Sequence, residues 1–136
     1  MKRLTSVQWS HVSTTLLLLY WAALVVGTHL PGRAVPETPV SDKSLHFMAF
    51  LGLGFLLAWT GTTHRSLLPA GALFAVLVAV VYAAIDEITQ TFIPGRFGDV
   101  ADWCYDVAGA IAGTALFLAV NAVFRRVFRE RMQQAG

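Results

Sequence analysis

Charge is what this sequence has least of. Of its 136 residues only 13% are Asp, Glu, Lys or Arg, about half the share usual in soluble domains. With 56% hydrophobic residues and a mean hydropathy of +0.61, a water-soluble globular domain is excluded. The net charge of +2 is too small to suggest a nucleic-acid partner, and the positions of the basic residues matter more than their sum. Cysteine is nearly absent. Cys104 stands alone, so no intramolecular disulfide exists and redox compartment is not encoded. No histidine shares its local segment, and Cys104 is expected to be a small buried hydrophobe rather than a nucleophile. The period-2 alternation of a transmembrane barrel is missing, and so is any HExxH-type metal pattern.

What is present is four long uncharged runs rich in Leu, Ala and Val. A helix needs about 20 apolar residues to cross the hydrocarbon core, and only helices and closed barrels satisfy their backbone there. The runs predict an all-α, integral membrane up-down bundle of four transmembrane helices, over about residues 12–30, 44–61, 66–92 and 100–124 of a single domain. The breaks carry turn residues. Pro31, Gly32, Pro36 and Pro39 follow the first run, Gly61 to Arg65 the second, and Pro94, Gly95, Arg96 and Gly98 the third. Short turns make neighbours antiparallel. Lys2 and Arg3 resemble the start of a signal peptide, but the apolar run begins late and lacks a convincing small-x-small site, so a retained helix is expected. Gly109 and Gly113 form a small-xxx-small pair, read as packing.

Four spans put both termini on one side, together with Lys2, Arg3, Arg65, Arg125, Arg126, Arg129 and Arg131. Arg33, Lys43 and Arg96 fall on the other side. The positive-inside rule then predicts that both termini are cytoplasmic. The tail 125–136 mixes Arg125, Arg126 and Arg129 with Phe124, Val127 and Phe128, and is expected to continue the fourth helix along the membrane surface. Trp9, Trp59 and Trp103 fall near helix ends as an aromatic belt would place them, and His11, His29 and His64 are expected at the interface. Trp21 is expected to be packed. Ser41 is expected to cap the second helix.

The acidic residues run the other way. Glu37, Asp42, Asp86, Glu87, Asp99, Asp102 and Asp106 gather toward the outer half, and only Glu130 is inside. Three segments meet there. The second helix opens with Asp42, Lys43 and His46, the third closes with Asp86, Glu87 and Gln90, and the fourth opens after Arg96 with Asp99, Asp102 and Asp106. The i, i+3 and i+4 spacings put Asp42 or Lys43 on the face of His46, and Glu87 on the face of Gln90. Asp99, Asp102 and Asp106 read as one carboxylate stripe. An Asp at mid-membrane costs about 2.5–3.5 kcal/mol on insertion scales, so such groups face the bundle interior or a hydrated cavity. Lys43, His46 and Arg96 are the expected partners. A structural ion-pair network is the plain alternative to a functional site.

These segments resemble the VanZ-like family of bacterial membrane proteins. The resemblance rests on Asp42-Lys43-Ser44-Leu45-His46-Phe47 with Phe50, on Glu87-Ile88-Thr89-Gln90-Thr91-Phe92, on Pro94-Gly95-Arg96, and on Asp99-Val100-Ala101-Asp102 with Gly109. It spans about Ser41 to Gly113. Where the family usually carries Asn, this chain has Asp106. The family is named for a member associated with low-level resistance to the glycopeptide teicoplanin. The resemblance therefore implies a cell-envelope context but supplies no biochemical activity.

Four readings follow. The first is a site for an anionic envelope lipid or precursor, held by Lys43, His46 and Arg96 with the carboxylates orienting them. Its weakness is the acidic excess. The second is a divalent metal on His46, Glu87, Asp99 and Asp102, serving a membrane hydrolase or transferase with His46, Glu87 and Asp102 as catalytic candidates. The third, proton or ion transport, lacks acidic residues in the cytoplasmic half. The fourth is an accessory subunit, with glycine faces serving homo- or hetero-oligomer contacts.

Overall fold

A computed structural model describes residues 6–31, 39–64 and 71–134. It is all-helical over those residues, with no strand among them. The helices are α1 (Ser6–Thr28), α2 (Asp42–Thr63), α3 (Gly71–Gln90) and α4 (Val100–Gln134), and each contains a stretch long and apolar enough to cross a membrane. The expected four-helix architecture is therefore present. Helix α1 starts six residues before the expected onset, because Ser and His in the first turns do not break a helix. Helix α3 ends at Gln90, two residues early. The expected onset of α3 at Ser66 lies outside the described residues, as do Lys2, Arg3, Arg33, Glu37 and Arg65.

The local reasons for the breaks are explicit. Ser41 accepts the Ser44 amide through its hydroxyl and caps α2, as expected. After α3, Ile93 to Arg96 close a turn through an Arg96 N–H to Ile93 carbonyl bond of 3.0 Å. Gly95 takes φ 79°, and Pro94 precedes it, which is the chemistry of a type II turn. Asp99 then caps α4, its Oδ1 accepting the Ala101 amide at 2.8 Å.

The packing is inside-out relative to a soluble protein. On α3, Ala75, Ala79 and Ala83 are buried while Leu73, Leu77, Val81, Ile85 and Ile88 face outward. Small residues inside allow close helix approach, and the large apolar ones are left on the outer face. Helix α2 is the hub and touches all three others, packing most closely on α4. That contact is glycine-lined. A Cβ on Gly109 would strike the Phe47 carbonyl, one on Gly113 the Leu51 carbonyl, and one on Gly54 the Ala110 carbonyl. The small-xxx-small pair thus serves packing within the chain.

The antiparallel order brings the α1 and α3 C-termini together with the α2 and α4 N-termini. The other end is tied by Ser13 to Thr63 (2.8 Å) and Thr14 to His64 (3.0 Å). Trp9 and Trp59 meet there at 6.4 Å between ring centroids. Trp21 is packed, edge-on to Tyr82 at 5.0 Å, and Phe50 stacks on the same ring at 5.7 Å. Cys104 contradicts its expectation. It is exposed, because α4 turns Asp102 and Asp106 inward and so directs Cys104 outward.

Candidate functional site

Three polar groupings share the end where α2 and α4 begin. The outermost is a clamp. The Lys43 ammonium donates to Asp99 Oδ2 and Asp102 Oδ1, each at 3.1 Å. Asp99 is half exposed, and its carboxyl is held below the usual range by the Ala101 amide and by Lys43. The clamp fastens α2 to the entry of α4. It also changes the sequence reading, because Asp99 acts as a cap ahead of α4 and only Asp102 and Asp106, one turn apart, form the inward stripe.

One turn deeper lies a buried trio. His46 Nδ1 is 3.0 Å from Asp106 Oδ1 and 3.9 Å from Glu87 Oε1. His46 is 6% exposed, Glu87 8% and Asp106 0%. Glu87 Oε2 accepts the Asp99 amide at 2.9 Å, which ties α3 to the start of α4. Glu87 Oε1 and Asp106 Oδ2 are buried, and neither has a hydrogen-bond partner among the described residues. Asp106 brings a carboxyl group to the position at which the resemblance implies an amide.

The third grouping surrounds Asp86. Thr28 and Tyr82 donate to Oδ1 at 2.9 and 3.1 Å, and Gln90 donates to Oδ2 at 2.7 Å. His29 Nδ1 stands 3.8 Å away, and its Nε2 is 2.9 Å from Thr89 Oγ1. Asp86 is thus satisfied by neutral donors from α1 and α3, not by Lys43, His46 or Arg96 as expected. Composition hid this group, because Thr28, Tyr82 and His29 carry no site signature until α1 is folded against α3.

Beside the trio, an open cleft of about 370 Å³ runs between α1 and α2. Its walls include Tyr20, Ala23, Leu24, Leu45 and Ala49, and its polar end carries Asp42, His46, Thr28 and Arg96. Tyr20 donates to the Ala49 carbonyl at 2.8 Å, which fixes one wall. Arg96 donates through Nε to the Leu30 carbonyl at 3.3 Å. Among the described residues no carboxylate pairs with it.

The predicted site residues therefore sort themselves. Lys43, Asp99 and Asp102 form one unit, and His46, Glu87 and Asp106 another. Asp42 and Arg96 stand at the cleft, and Gln90 serves Asp86. The metal set expected on His46, Glu87, Asp99 and Asp102 is not the one that converges. Among the described residues, the groups whose donor atoms lie within 4.8 Å of one another are His46, Glu87 and Asp106, and Asp42, His46 and Asp102. Asp99 is diverted by Lys43 and by its cap.

A family model described as VanZ/LLP1 matches residues 3–124. No curated protein and no solved structure shows significant similarity to the chain.

Proposed function

The chain belongs to the VanZ/LLP1 family, and from that membership we propose that it binds an anionic envelope lipid or precursor, bearing phosphate or carboxylate, in the cleft between α1 and α2. The observation that carries this reading is the make-up of the cleft. Apolar walls lead to a polar end at which Arg96 has no carboxylate partner among the described residues. An acyl or isoprenoid chain suits such walls, and a guanidinium suits a bidentate anion.

The acidic excess is smaller at this spot than the sequence suggests. Lys43 cancels one of the two charges of Asp99 and Asp102, and Asp86 points to neutral donors of α1 and α3 rather than to the cleft. Asp42 remains at the rim and is exposed. The division of labour expected from sequence changes accordingly. Arg96 is the anion-binding group, His46 supports it, and Lys43 holds α2 to α4. In this reading the protein lies in the bacterial inner membrane with both termini cytoplasmic, which the Lys and Arg distribution supports, the cleft's polar end faces outward, and a link to glycopeptide resistance would run through the bound envelope lipid.

The test is a titration of delipidated protein in detergent with phosphatidic acid and with phosphatidylcholine, followed by intrinsic tryptophan fluorescence. Wild type should prefer the phosphate monoester lipid. Arg96→Ala should lose about tenfold to a hundredfold in affinity for it, the range of a charge-assisted contact, and Lys43→Ala much less. Equal affinity of wild type and Arg96→Ala would reject the reading.

A further inference from the structure

We infer that His46, Glu87 and Asp106 form a binding site for one divalent transition-metal ion of the Zn²⁺ or Mn²⁺ type. This inference stands independently of the lipid reading. It starts from two buried carboxylate oxygens that nothing in the described chain serves, Glu87 Oε1 and Asp106 Oδ2. Their side chains are 10% and 0% exposed. Buried polar atoms are ordinarily paired, and a buried charge without a partner is strongly destabilising.

No fixed cation among the described residues reaches them. Lys43 is held by Asp99 and Asp102, and Arg96 turns to the Leu30 carbonyl. Among the described residues, His46 is the only basic group beside the pair. The trio's donor atoms all lie within 4.8 Å of one another, with His46 Nδ1 3.0 Å from Asp106 Oδ1 and 3.9 Å from Glu87 Oε1. Ligands about 2.0–2.2 Å from a tetrahedral ion lie roughly 3.4 Å apart, so small side-chain movements would close the shell.

The charges also balance. Two carboxylates and a neutral imidazole carry −2, which a divalent ion cancels in a site shielded from water. One imidazole with two carboxylates is a borderline donor set, suited to Zn²⁺ or Mn²⁺. Nδ1 is the ring nitrogen that faces both carboxylates. A neutral ring that binds through Nδ1 keeps its one proton on Nε2, so the bound imidazole adds no charge.

The site is also rigidly presented. Glu87 Oε2 is fixed by the Asp99 amide, leaving Oε1 for the ion. Asp106 and His46 sit on the glycine-packed pair α2 and α4, where backbones meet at Gly109 against Phe47. His46 also lines the cleft, so an ion here would add positive charge beside the end that holds Arg96.

The full-length protein in detergent, stripped with chelator and desalted, is titrated with Co²⁺ and separately with Zn²⁺. Co²⁺ is read by its visible absorption, Zn²⁺ by competition with a chromophoric chelator. One ion per chain is expected, with Co²⁺ bands of a low-symmetry site. Asp106→Asn and Glu87→Gln, close in shape to wild type, should each weaken binding about tenfold or more. Asp42→Asn and Asp99→Asn should leave it unchanged. Circular dichroism checks that each variant remains helical. Folded wild-type protein that binds no ion would overturn the site whatever the variants do. Loss of binding in Asp42→Asn with retention in Asp106→Asn would move the ion to the other grouping and overturn it equally.

Discussion

At the scale of single residues, Asp99 does two jobs with one carboxylate. Oδ1 caps α4 and Oδ2 meets Lys43, and both contacts favour the ionised form. Its folded pKa is therefore depressed. A group of this kind stabilises fully above its unfolded pKa, near 3.9 for Asp, and the contribution is lost as pH falls through the lower folded value. Asp99→Asn keeps an amide able to cap but discards the charge. Its thermal midpoint in detergent should lie below that of wild type at pH 6, and the gap should close as pH is lowered below 4. A gap that is constant with pH would show that the carboxylate charge is not what stabilises. Sequence legibility is uneven at this scale. The spacing of Asp42, Lys43 and His46 correctly put site residues on one end of α2, and the depth argument correctly buried Asp106 and Glu87. What it missed was pairing. Nothing in a sequence says that Lys43 is consumed by Asp99 and Asp102, or that Thr28 and Tyr82 reach Asp86 across the bundle. Cys104 failed as a buried residue because its environment is set by the inward turn of its neighbour Asp102.

At the scale of helices, the register between α2 and α4 decides whether a site exists at all. Lys43 and His46 on one must meet Asp99, Asp102 and Asp106 on the other, and one turn of slip is about 5.4 Å. Glycines at 54, 109 and 113 set that register by letting backbones touch. Gly113→Ala pushes a methyl into the Leu51 carbonyl, and neither backbone can yield cheaply. Overpacking of this kind costs about 1–3 kcal/mol. Gly113→Ala should lower the thermal midpoint in detergent, whereas Gly27→Ala, which meets open space, should not. Equal midpoints for the two variants would contradict the close-packed contact. The helices themselves were legible because long uncharged runs have one solution in lipid. Their ends were less so. α1 reaches back to Ser6, and α4 runs unbroken to Gln134, about 52 Å at 1.5 Å per residue. That is well beyond a hydrocarbon core of about 30 Å, which fits the expected continuation of the helix into the basic tail.

At the scale of the whole molecule, the polar end and the arginine-rich end face opposite ways along the bundle. Phe97 sits in the turn at the polar end, 87% exposed, and Gln134 closes α4 at the other. With Cys104 replaced by Ser, Phe97→Cys in intact cells should react with a membrane-impermeant maleimide, and Gln134→Cys only after permeabilisation. The reverse pattern would invert the proposed orientation. That three helix ends bring these polar residues together could be foreseen from charge placement alone. The cleft could not, because its walls are ordinary apolar residues of α1 and α2 that become a groove only when the two helices pack. The most direct measurement on the central claim is native mass spectrometry of the protein released from its own membrane. Wild type should carry one lipid of phosphate- or carboxylate-bearing mass per chain, and Arg96→Ala, inserted at equal level, should emerge without it. Identical lipid retention by both, or a wild type that retains only zwitterionic lipid, would contradict the account.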